Sequence, residues 1–142
     1  MTQTLPCRGE TPLAVVRRAL TALRAGDIDA MLEDCAEDIA LEHVGDPLHL
    51  PYAGRYVRHA GIGEYLRRID TAAEILAYEP VEIAAVGLDR VLVLGREHLR
   101  FRMTGLDSPG RWVHLFTLDG GRIAAVTIWS DGAAQLVGYR GY

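Results

Sequence analysis

The stretch Gly110–Asp131, GRWVHLFTLDGGRIAAVTIWSD, decides the fold, because it predicts two strands joined by a tight turn. Trp112, His114 and Phe116 recur at a spacing of two and therefore share one face of the first strand. Asp119-Gly120-Gly121 predicts the turn, since glycine reaches the positive φ values that hairpin turns require.

The second strand of this hairpin is predicted over Ile123–Ser130, which is rich in β-branched and aromatic residues that pack well in a sheet. Neither face of the hairpin is cleanly polar, because Val113, Leu115 and Thr117 alternate with the aromatic residues. We therefore expect the hairpin to be covered on both sides. His114, placed between two aromatic rings, becomes the leading functional candidate.

Length and composition limit the classes of protein to which the chain can belong. The chain has 142 residues, of which 49% are hydrophobic, and this fits one domain with a substantial core. A net charge of -4 without a long basic run argues against nucleic-acid binding and against docking on an anionic membrane. The chain has no apolar run of about 18 residues and no apolar signal core, so we expect a cytoplasmic protein. Residues 1–11 are predicted to be a flexible N-terminus and 12–142 a single domain.

Three helices are predicted from apolar residues at helical spacing. The first begins at Thr11-Pro12, a cap followed by a proline at the first helical position, and ends near Gly26. Asp27 caps a short second helix, and the third covers Ile62–Ile69. The C-terminal segment 132–142 is partly apolar and is expected to pack against the sheet or against a partner chain.

Further strands are predicted over Ile39–Val44, Glu74–Val86 and Arg90–Met103, with a turn over Leu106–Gly110. The segment Gly45–Tyr56 contains two prolines and two glycines, which exclude regular structure, yet it is apolar. It is therefore predicted to form a lid over the concave face of the sheet. Together these elements predict an α+β domain with helices packed on a strongly curved, mostly antiparallel sheet.

Three stretches carry a resemblance to a known family: ALRAGDIDAMLEDCAEDIALEH, YAGRYVRHAGIGEYL and WVHLFTLDGGRIAAVTIWSD. In this order they resemble the nuclear transport factor 2-like superfamily, in its SnoaL-like and ketosteroid-isomerase-like branch, over roughly residues 12–136. The resemblance implies a cone in which helices and a curved sheet enclose a deep apolar pocket, and a homodimer packed through the outer sheet face. It does not imply one activity, because this superfamily hosts isomerases, polyketide cyclases, epoxide hydrolases, dehydratases and proteins without catalysis.

The resemblance also points to candidate catalytic positions. The aspartate that moves the proton in ketosteroid isomerases corresponds to His43, and the acid that stabilises the oxyanion corresponds to His114. The third isomerase group, a tyrosine, falls near Ala19. The chain departs from the isomerase pattern at all three positions, which argues against a steroid isomerase.

A two-histidine pocket is the remaining hypothesis. His43 is predicted to be a general base and His114 a donor to a developing oxyanion, because imidazole exchanges protons near neutral pH. Tyr52 and Tyr56 from the lid are predicted to add hydroxyl donors at the substrate. The alternative is that both histidines only bond to backbone carbonyls or water in a half-buried core.

Aromatic side chains are predicted to form the remaining walls of the pocket. Trp112, Phe116 and Trp129 suit a flat, ring-bearing ligand. Asp131, at the end of the last strand, either orients a group in the pocket or caps the C-terminal segment.

The strand predicted over Arg90–Met103 contains several charged residues. Glu97 and His98 are adjacent, so only one of them can point into the pocket. Glu97, with Arg100 and Arg102, is expected to belong to a charge ladder on the exposed face of the sheet.

No metal-ligand spacing, phosphate-binding loop or nucleophile elbow occurs in the sequence, so neither a metal nor a cofactor is expected. The predicted function is cofactor-independent acid/base chemistry, of an isomerase, cyclase or hydrolase type, on a small hydrophobic ring-bearing metabolite. The alternatives are a non-catalytic ligand-binding protein and a dimerisation module.

Overall fold

Six strands form one sheet in the computed structural model, which describes residues 10–141. In chain order they are β1 (Cys35–His43), β2 (Gly54–Val57), β3 (Ala73–Val86), β4 (Arg90–Phe101), β5 (Asp107–Asp119) and β6 (Arg122–Ser130). Their spatial order is β2-β1-β6-β5-β4-β3, and neighbours are antiparallel except for the parallel pair of β1 and β6. The expected flexible N-terminus falls largely on residues 1–9, which lie outside the described residues.

Four helices accompany the sheet within residues 10–141: α1 (Pro12–Arg24), α2 (Ile28–Glu33), α3 (Arg58–Ala72) and α4 (Gly132–Arg140). The predicted α+β class with a mostly antiparallel sheet is confirmed, although α4 adds a fourth helix to the three expected. None of these four helices is long and apolar enough to cross a membrane.

Local capping fixes the start of α1, as the sequence predicts. The side chain of Thr11 accepts a hydrogen bond from the backbone N–H of Ala14 at 3.1 Å, and Pro12 occupies the first helical position. The buried stripe that follows packs α1 into the core and consists of Val15, Val16, Ala19 and Leu20. This helix covers the concave side of the sheet and forms one wall of the cavity beneath it.

The hairpin of β5 and β6 has the predicted turn and the predicted faces. Gly120 and Gly121 both adopt positive φ values, 61° and 81°, which suit a two-residue turn between twisted strands. Trp112, His114 and Phe116 are buried on the concave face. Val113 and Leu115, on the convex face, are only half-buried in the single chain.

A glycine in β4 makes room for the largest of these aromatic side chains. Gly95 pairs with Trp112 across the strands, and a Cβ on Gly95 would lie 2.1 Å from Cζ2 of the indole. The indole therefore lies directly over the β4 backbone, and its Nε1 donates a hydrogen bond to the carbonyl of Arg96 at 3.1 Å. No other residue type fits at position 95 without displacing the ring.

The main differences from the sequence prediction concern element boundaries. β1 begins at Cys35 rather than Ile39, and β5 begins at Asp107, inside the predicted turn. The segment predicted to be irregular contains the start of β2, because a four-residue edge strand tolerates flanking prolines and glycines. α3 is also longer at both ends than the predicted helix.

Candidate functional site

A cavity of about 460 Å³ lies between α1, α3 and the concave face of the sheet. Most of its lining is aliphatic or aromatic, as ligand-binding pockets usually are. Its lining differs in exposure to solvent. We call the more exposed part the mouth; it consists of Leu23, Arg24, Ile69, Ile75 and Leu76, of which Ile75 is 50% and Leu76 41% exposed.

A second part of the lining, which we call the inner end, is mostly buried and carries a connected set of polar groups. It consists of His43, Tyr52, Tyr65, Glu97, Ser130 and Gln135. His43 is 4% exposed and Gln135 only 2%. Buried polar groups must satisfy one another, so their hydrogen bonds decide what this end can do.

His43 is fully engaged in this inner end. Its Nδ1 lies 2.7 Å from the hydroxyl of Tyr65, and its Nε2 lies 3.0 Å from Oγ of Ser130. All groups are satisfied when the Tyr65 hydroxyl donates to Nδ1 and Nε2–H donates to Ser130. The lone pair that a general base needs is then already occupied.

Gln135 joins three elements through its amide group. Its Oε1 accepts a hydrogen bond from the Tyr52 hydroxyl at 2.6 Å and one from the Ser130 hydroxyl at 3.4 Å. Its Nε2 donates to Oε2 of Glu97 at 2.8 Å. The C-terminal helix α4 therefore supplies the residue that connects the lid, β6 and β4.

Both pocket histidines are neutral at pH 7. Burial lowers the pKa of His43 to about 4. Burial also lowers the pKa of His114 to about 3, with a further contribution from the nearby His43. A cationic imidazole at His114, one of the forms that could serve as an oxyanion donor, is therefore disfavoured, and a neutral N–H donor remains available.

His114 differs from His43 because its ring makes no hydrogen bond to residues 10–141. It packs instead into a set of rings that we call the aromatic wall: Tyr78, Trp112, His114 and Phe116. Ring centroids lie 4.1 Å apart for Trp112 and His114 and 4.8 Å apart for Tyr78 and Trp112. The wall presents a broad apolar surface with one unpaired imidazole.

Glu97 lies in the cavity, and its expected place in an exposed charge ladder is wrong. Burial raises the pKa of Glu97 to about 7, although the hydrogen bond from Gln135 opposes that rise. Alternation along β4 explains the inward direction, since Val93 and Leu99 share its face and are buried. His98, its neighbour, points outward and contacts Asp107 at 2.9 Å.

The ladder interpretation holds for Arg100, whose partner Asp107 lies on the neighbouring strand, but not for Arg102, which lies just beyond β4 and pairs with a residue of α3. Arg100 donates to Asp107 at 2.7 Å, and Arg102 contacts Asp70 at 3.1 Å, on the exposed surface. These ion pairs lie outside the cavity.

Three of the predicted substrate-binding residues, Tyr56, Trp129 and Asp131, lie outside the cavity lining. Trp129 is 41% exposed on the convex face, because its neighbours Ile128 and Ser130 take the concave side. Asp131 caps α4, where its side chain accepts the N–H of Ala134 at 3.4 Å.

The two tyrosines of the predicted lid have different positions. Tyr56 lies in β2 and is buried outside the cavity lining, where its hydroxyl donates to the backbone carbonyl of Tyr52 at 3.0 Å. The Tyr52 side chain lines the cavity, as do Trp112 and Phe116. The structure thus brings His43, Tyr52, the aromatic wall and Glu97 around one space.

Sequence reasoning missed Glu97 and Gln135 as site residues, and Tyr78 as part of the wall. The alternation of buried residues in β4 was a usable signal for Glu97. For Gln135 no local signal existed, because its contacts depend on where α4 docks. Within residues 10–141 no group of three or more His, Cys, Asp or Glu side chains could hold a metal ion.

A family model described as the SnoaL-like domain matches residues 16–126. The chain belongs to the SnoaL-like domain family. The matched span includes His43, Glu97 and His114, whereas Ser130 and Gln135 of this SnoaL-like chain lie beyond it.

Solved structures share the fold closely. A nuclear transport factor 2-like protein of unknown function from Burkholderia pseudomallei is 21% identical, with a TM-score of 0.82 over 91% of this chain and 97% of that chain. One from Burkholderia xenovorans is 28% identical, with a TM-score of 0.80 over 91% and 95% of the two chains. TerC, co-crystallised with polyporic acid, is 23% identical, with a TM-score of 0.80 over 91% and 98%. These findings confirm the expected superfamily, and no curated protein matches the sequence.

Proposed function

We propose that this SnoaL-like protein is a cofactor-independent enzyme that moves a proton on a ring-bearing carbonyl compound, with Glu97 as the general base. The observation that carries the proposal is a carboxyl group with a pKa raised to about 7 by burial, inside an apolar cavity of about 460 Å³. A base with a pKa near the working pH is both available and strong enough to act. This role replaces the one first assigned to His43, whose two ring nitrogens are both engaged.

The hydrogen bonds of Glu97 suit a base that is held in place but open to a ligand. Gln135 binds one carboxyl oxygen, Oε2, at 2.8 Å. Within the described part of the chain no second hydrogen bond engages the carboxyl group, and Glu97 lines the cavity. One oxygen is fixed by the protein, and the other is left for a substrate C–H.

His114 completes the proposed chemistry as a neutral donor. Glu97 removes a proton from the carbon beside a carbonyl, and the electron pair moves onto the carbonyl oxygen to give an enolate. The imidazole N–H of His114 donates a hydrogen bond to that oxygen. Where a carbon–carbon double bond in the substrate is conjugated with the enolate, protonated Glu97 returns the proton to the far carbon of that dienolate and the double bond shifts, which is isomerisation. In a cyclisation the enolate carbon instead forms a bond to a second carbonyl carbon, and the new alkoxide takes the proton.

The aromatic wall supports a flat, ring-bearing ligand. Tyr78 and Trp112 are stacked on each other within 11° of parallel, so they form a rigid aromatic side of the cavity. Contacts with the edges and faces of such rings favour an unsaturated ring over an aliphatic chain. TerC, which shares the fold, was co-crystallised with polyporic acid, and this makes polyporic acid a reasonable first compound for binding measurements.

A model reaction that does not require the natural substrate tests whether Glu97 acts as a base. 5-Nitrobenzisoxazole is a flat, neutral compound that opens when a base removes its C3 proton. The N–O bond then breaks and a coloured phenolate forms. We expect the wild-type protein to catalyse this opening at pH 8, and Glu97→Gln to lower the rate about 100-fold or more. His98→Gln, which alters the neighbouring side chain on the outer face, serves as the matched control and should retain the rate.

The pH dependence adds a second criterion. The wild-type rate should rise with pH and reach half its maximum near pH 7, where Glu97 loses its proton. Equal rates for wild type and Glu97→Gln would contradict the proposal. Tight binding of a ring compound without any proton removal would favour the alternative, a non-catalytic ligand-binding protein.

We further propose a homodimer that packs through the convex face of the sheet. Its support is an outward row of cross-strand partners, Leu94, Val113 and Trp129, with an exposed indole at one end. Exposed apolar patches of this kind usually mark contact surfaces. Native mass spectrometry should detect two copies for wild type and one for Trp129→Lys. The control Leu88→Lys, at an exposed apolar residue in the turn after β3, should keep two copies, and a monomeric wild type would refute the dimer.

A further inference from the structure

Two charged side chains contribute to the cavity lining within residues 10–141, and they differ in exposure and in hydrogen bonding. Glu97 belongs to the buried inner end. Arg24 belongs to the mouth, where it is the last residue of α1 and is exposed to solvent. A bound molecule therefore meets a carboxyl group at the inner end and a guanidinium at the mouth.

Arg24 is available to a ligand. No carboxylate among residues 10–141 forms an ion pair with it, in contrast to Arg18, which binds Asp34 at 2.7 Å on the same helix. Its surroundings at the mouth are apolar side chains, including Leu23 and Ile69. A guanidinium beside apolar surface is well placed to bind a planar anion with two parallel N–H groups.

The positive charge of Arg24 also acts on the interior of the cavity. Burial raises the pKa of Tyr78, the charge of Glu97 adds to that rise, and the charge of Arg24 opposes it. The Tyr78 hydroxyl itself is buried without a hydrogen-bond partner among the described residues. The edge of the aromatic wall therefore lies within the field of the mouth arginine.

We propose that the cavity selects ring-bearing carboxylic acids and binds them with the carboxylate at the mouth against Arg24. The ring lies on the aromatic wall, and the uncharged end points to the inner end. This proposal rests on the proposed function only for the statement that the uncharged end is the reactive one.

The reverse orientation is unfavourable for two reasons. A carboxylate at the inner end would meet the carboxyl group of Glu97, and two like charges in a buried site repel each other strongly. It would also lose its hydration without gaining a cation, since His43 at the inner end and His114 in the aromatic wall are both neutral. At the mouth the carboxylate keeps part of its hydration and gains the guanidinium. Arg24 is thus a specificity-determining residue that sets the direction of binding.

A matched pair of compounds tests this orientation. 2-Naphthylacetate and 2-naphthylacetamide have the same ring and nearly the same shape, but only the first is charged at pH 7. Isothermal titration calorimetry with wild type should show that the acid binds about fivefold or more tightly than the amide. Arg24→Gln should weaken binding of the acid to the level of the amide, and Arg24→Lys should keep part of the preference.

Arg17 offers the control, because it is an exposed arginine on the same helix that does not line the cavity. Arg17→Gln should leave both affinities unchanged. If Arg24 served only as the basic residue at the end of α1, Arg24→Gln would change both compounds equally. That result, no preference in wild type, or no binding of either compound would overturn the proposal.

The two proposals fail separately. A wild-type protein that prefers the acid but does not open 5-nitrobenzisoxazole would refute Glu97 as the base and leave the mouth site standing. One that opens 5-nitrobenzisoxazole but binds acid and amide equally would refute only the role of Arg24.

Discussion

The inner end and the mouth of the cavity differ in how their polar groups are hydrogen-bonded. At the inner end the groups of His43, Ser130 and Gln135 bond to one another, so they are held rigidly and are largely unavailable to a ligand. At the mouth and along the aromatic wall, Arg24 and His114 have no hydrogen-bond partner among residues 10–141. The comparison separates a scaffold that sets the position and pKa of Glu97 from groups that remain to recognise a molecule. Changes at the inner end should therefore alter stability, whereas changes at the mouth should alter binding.

The largest effect is expected where the aromatic wall rests on β4. Gly95→Ala places a methyl group 2.1–2.5 Å from the Trp112 ring, so either the indole or the strand must move. We expect the free energy of unfolding, measured by urea denaturation, to fall by about 3 kcal/mol or more. Gly63→Ala in α3, whose Cβ would meet its nearest neighbour at 3.5 Å, is the control and should cost nothing. An unchanged stability of Gly95→Ala would show that the wall is loosely packed.

A somewhat smaller effect, of opposite sign, is expected for Glu97→Gln. Because the pKa of Glu97 is raised on folding from 4.5 to about 7, its contribution to stability is complete below pH 4.5 and is lost as the pH rises to 7. Removing the charge should therefore stabilise the protein at pH 8, by at most about 3 kcal/mol.

The comparison of melting temperatures at two pH values checks this prediction. Glu97→Gln should melt higher than wild type at pH 8 and within a degree or so of it near pH 4.5. His98→Gln should follow the wild type at both values. A melting curve for Glu97→Gln that shifts equally at both pH values would mean that the change acts through packing and not through charge.

A smaller loss of stability is expected when the hydrogen-bond network of the inner end is broken at Tyr65, the member farthest from Glu97 along the network. Tyr65→Phe removes the hydroxyl that serves Nδ1 of His43 and leaves a buried polar atom unpaired, at a cost of about 2 kcal/mol. The double variant with His43→Phe should lose less than the sum of the two single variants, because both partners are then apolar. Strict additivity in urea denaturation would mean that the 2.7 Å contact does not stabilise the inner end.

The smallest effect on stability is expected at the mouth. Arg24→Gln removes an exposed charge that has no ion pair with residues 10–141, so we expect the free energy of unfolding to change by no more than about 0.5 kcal/mol. The same variant should lose its preference for carboxylates. A large loss of stability would mean that Arg24 has a structural role, and it would contradict the expectation that changes at the mouth alter binding and not stability.

Much of the fold could be predicted because its signals are local. The alternation in Trp112, His114 and Phe116 and the Asp119-Gly120-Gly121 turn depend only on neighbouring residues. Helix caps at Thr11 and Asp27 are equally local, and both are present. The resemblance added the cone and its enclosed pocket, which local patterns do not supply.

The site could be predicted only in part, for two physical reasons. Glu97 lies in a strand whose faces both carry polar residues, and the charges at Arg100 and Arg102 obscured the alternation of buried positions. The role of Gln135 depends on contacts with residues far away in sequence, Tyr52 and Glu97, which form only when α4 docks. The prediction that Trp129 lines the pocket is wrong, because alternation along β6 gives the concave face to Ile128 and Ser130 and turns Trp129 outward.

The indole resting on Gly95 has a spectroscopic consequence. The chain contains two tryptophans, and they occupy contrasting environments: Trp112 is enclosed by Tyr78 and His114, whereas Trp129 is exposed on the convex face. Their fluorescence should therefore separate into a blue-shifted and a red-shifted component. The first reports on occupancy of the cavity and the second on coverage of the outer sheet. One emission spectrum of the unlabelled protein thus follows ligand binding and self-association as independent signals.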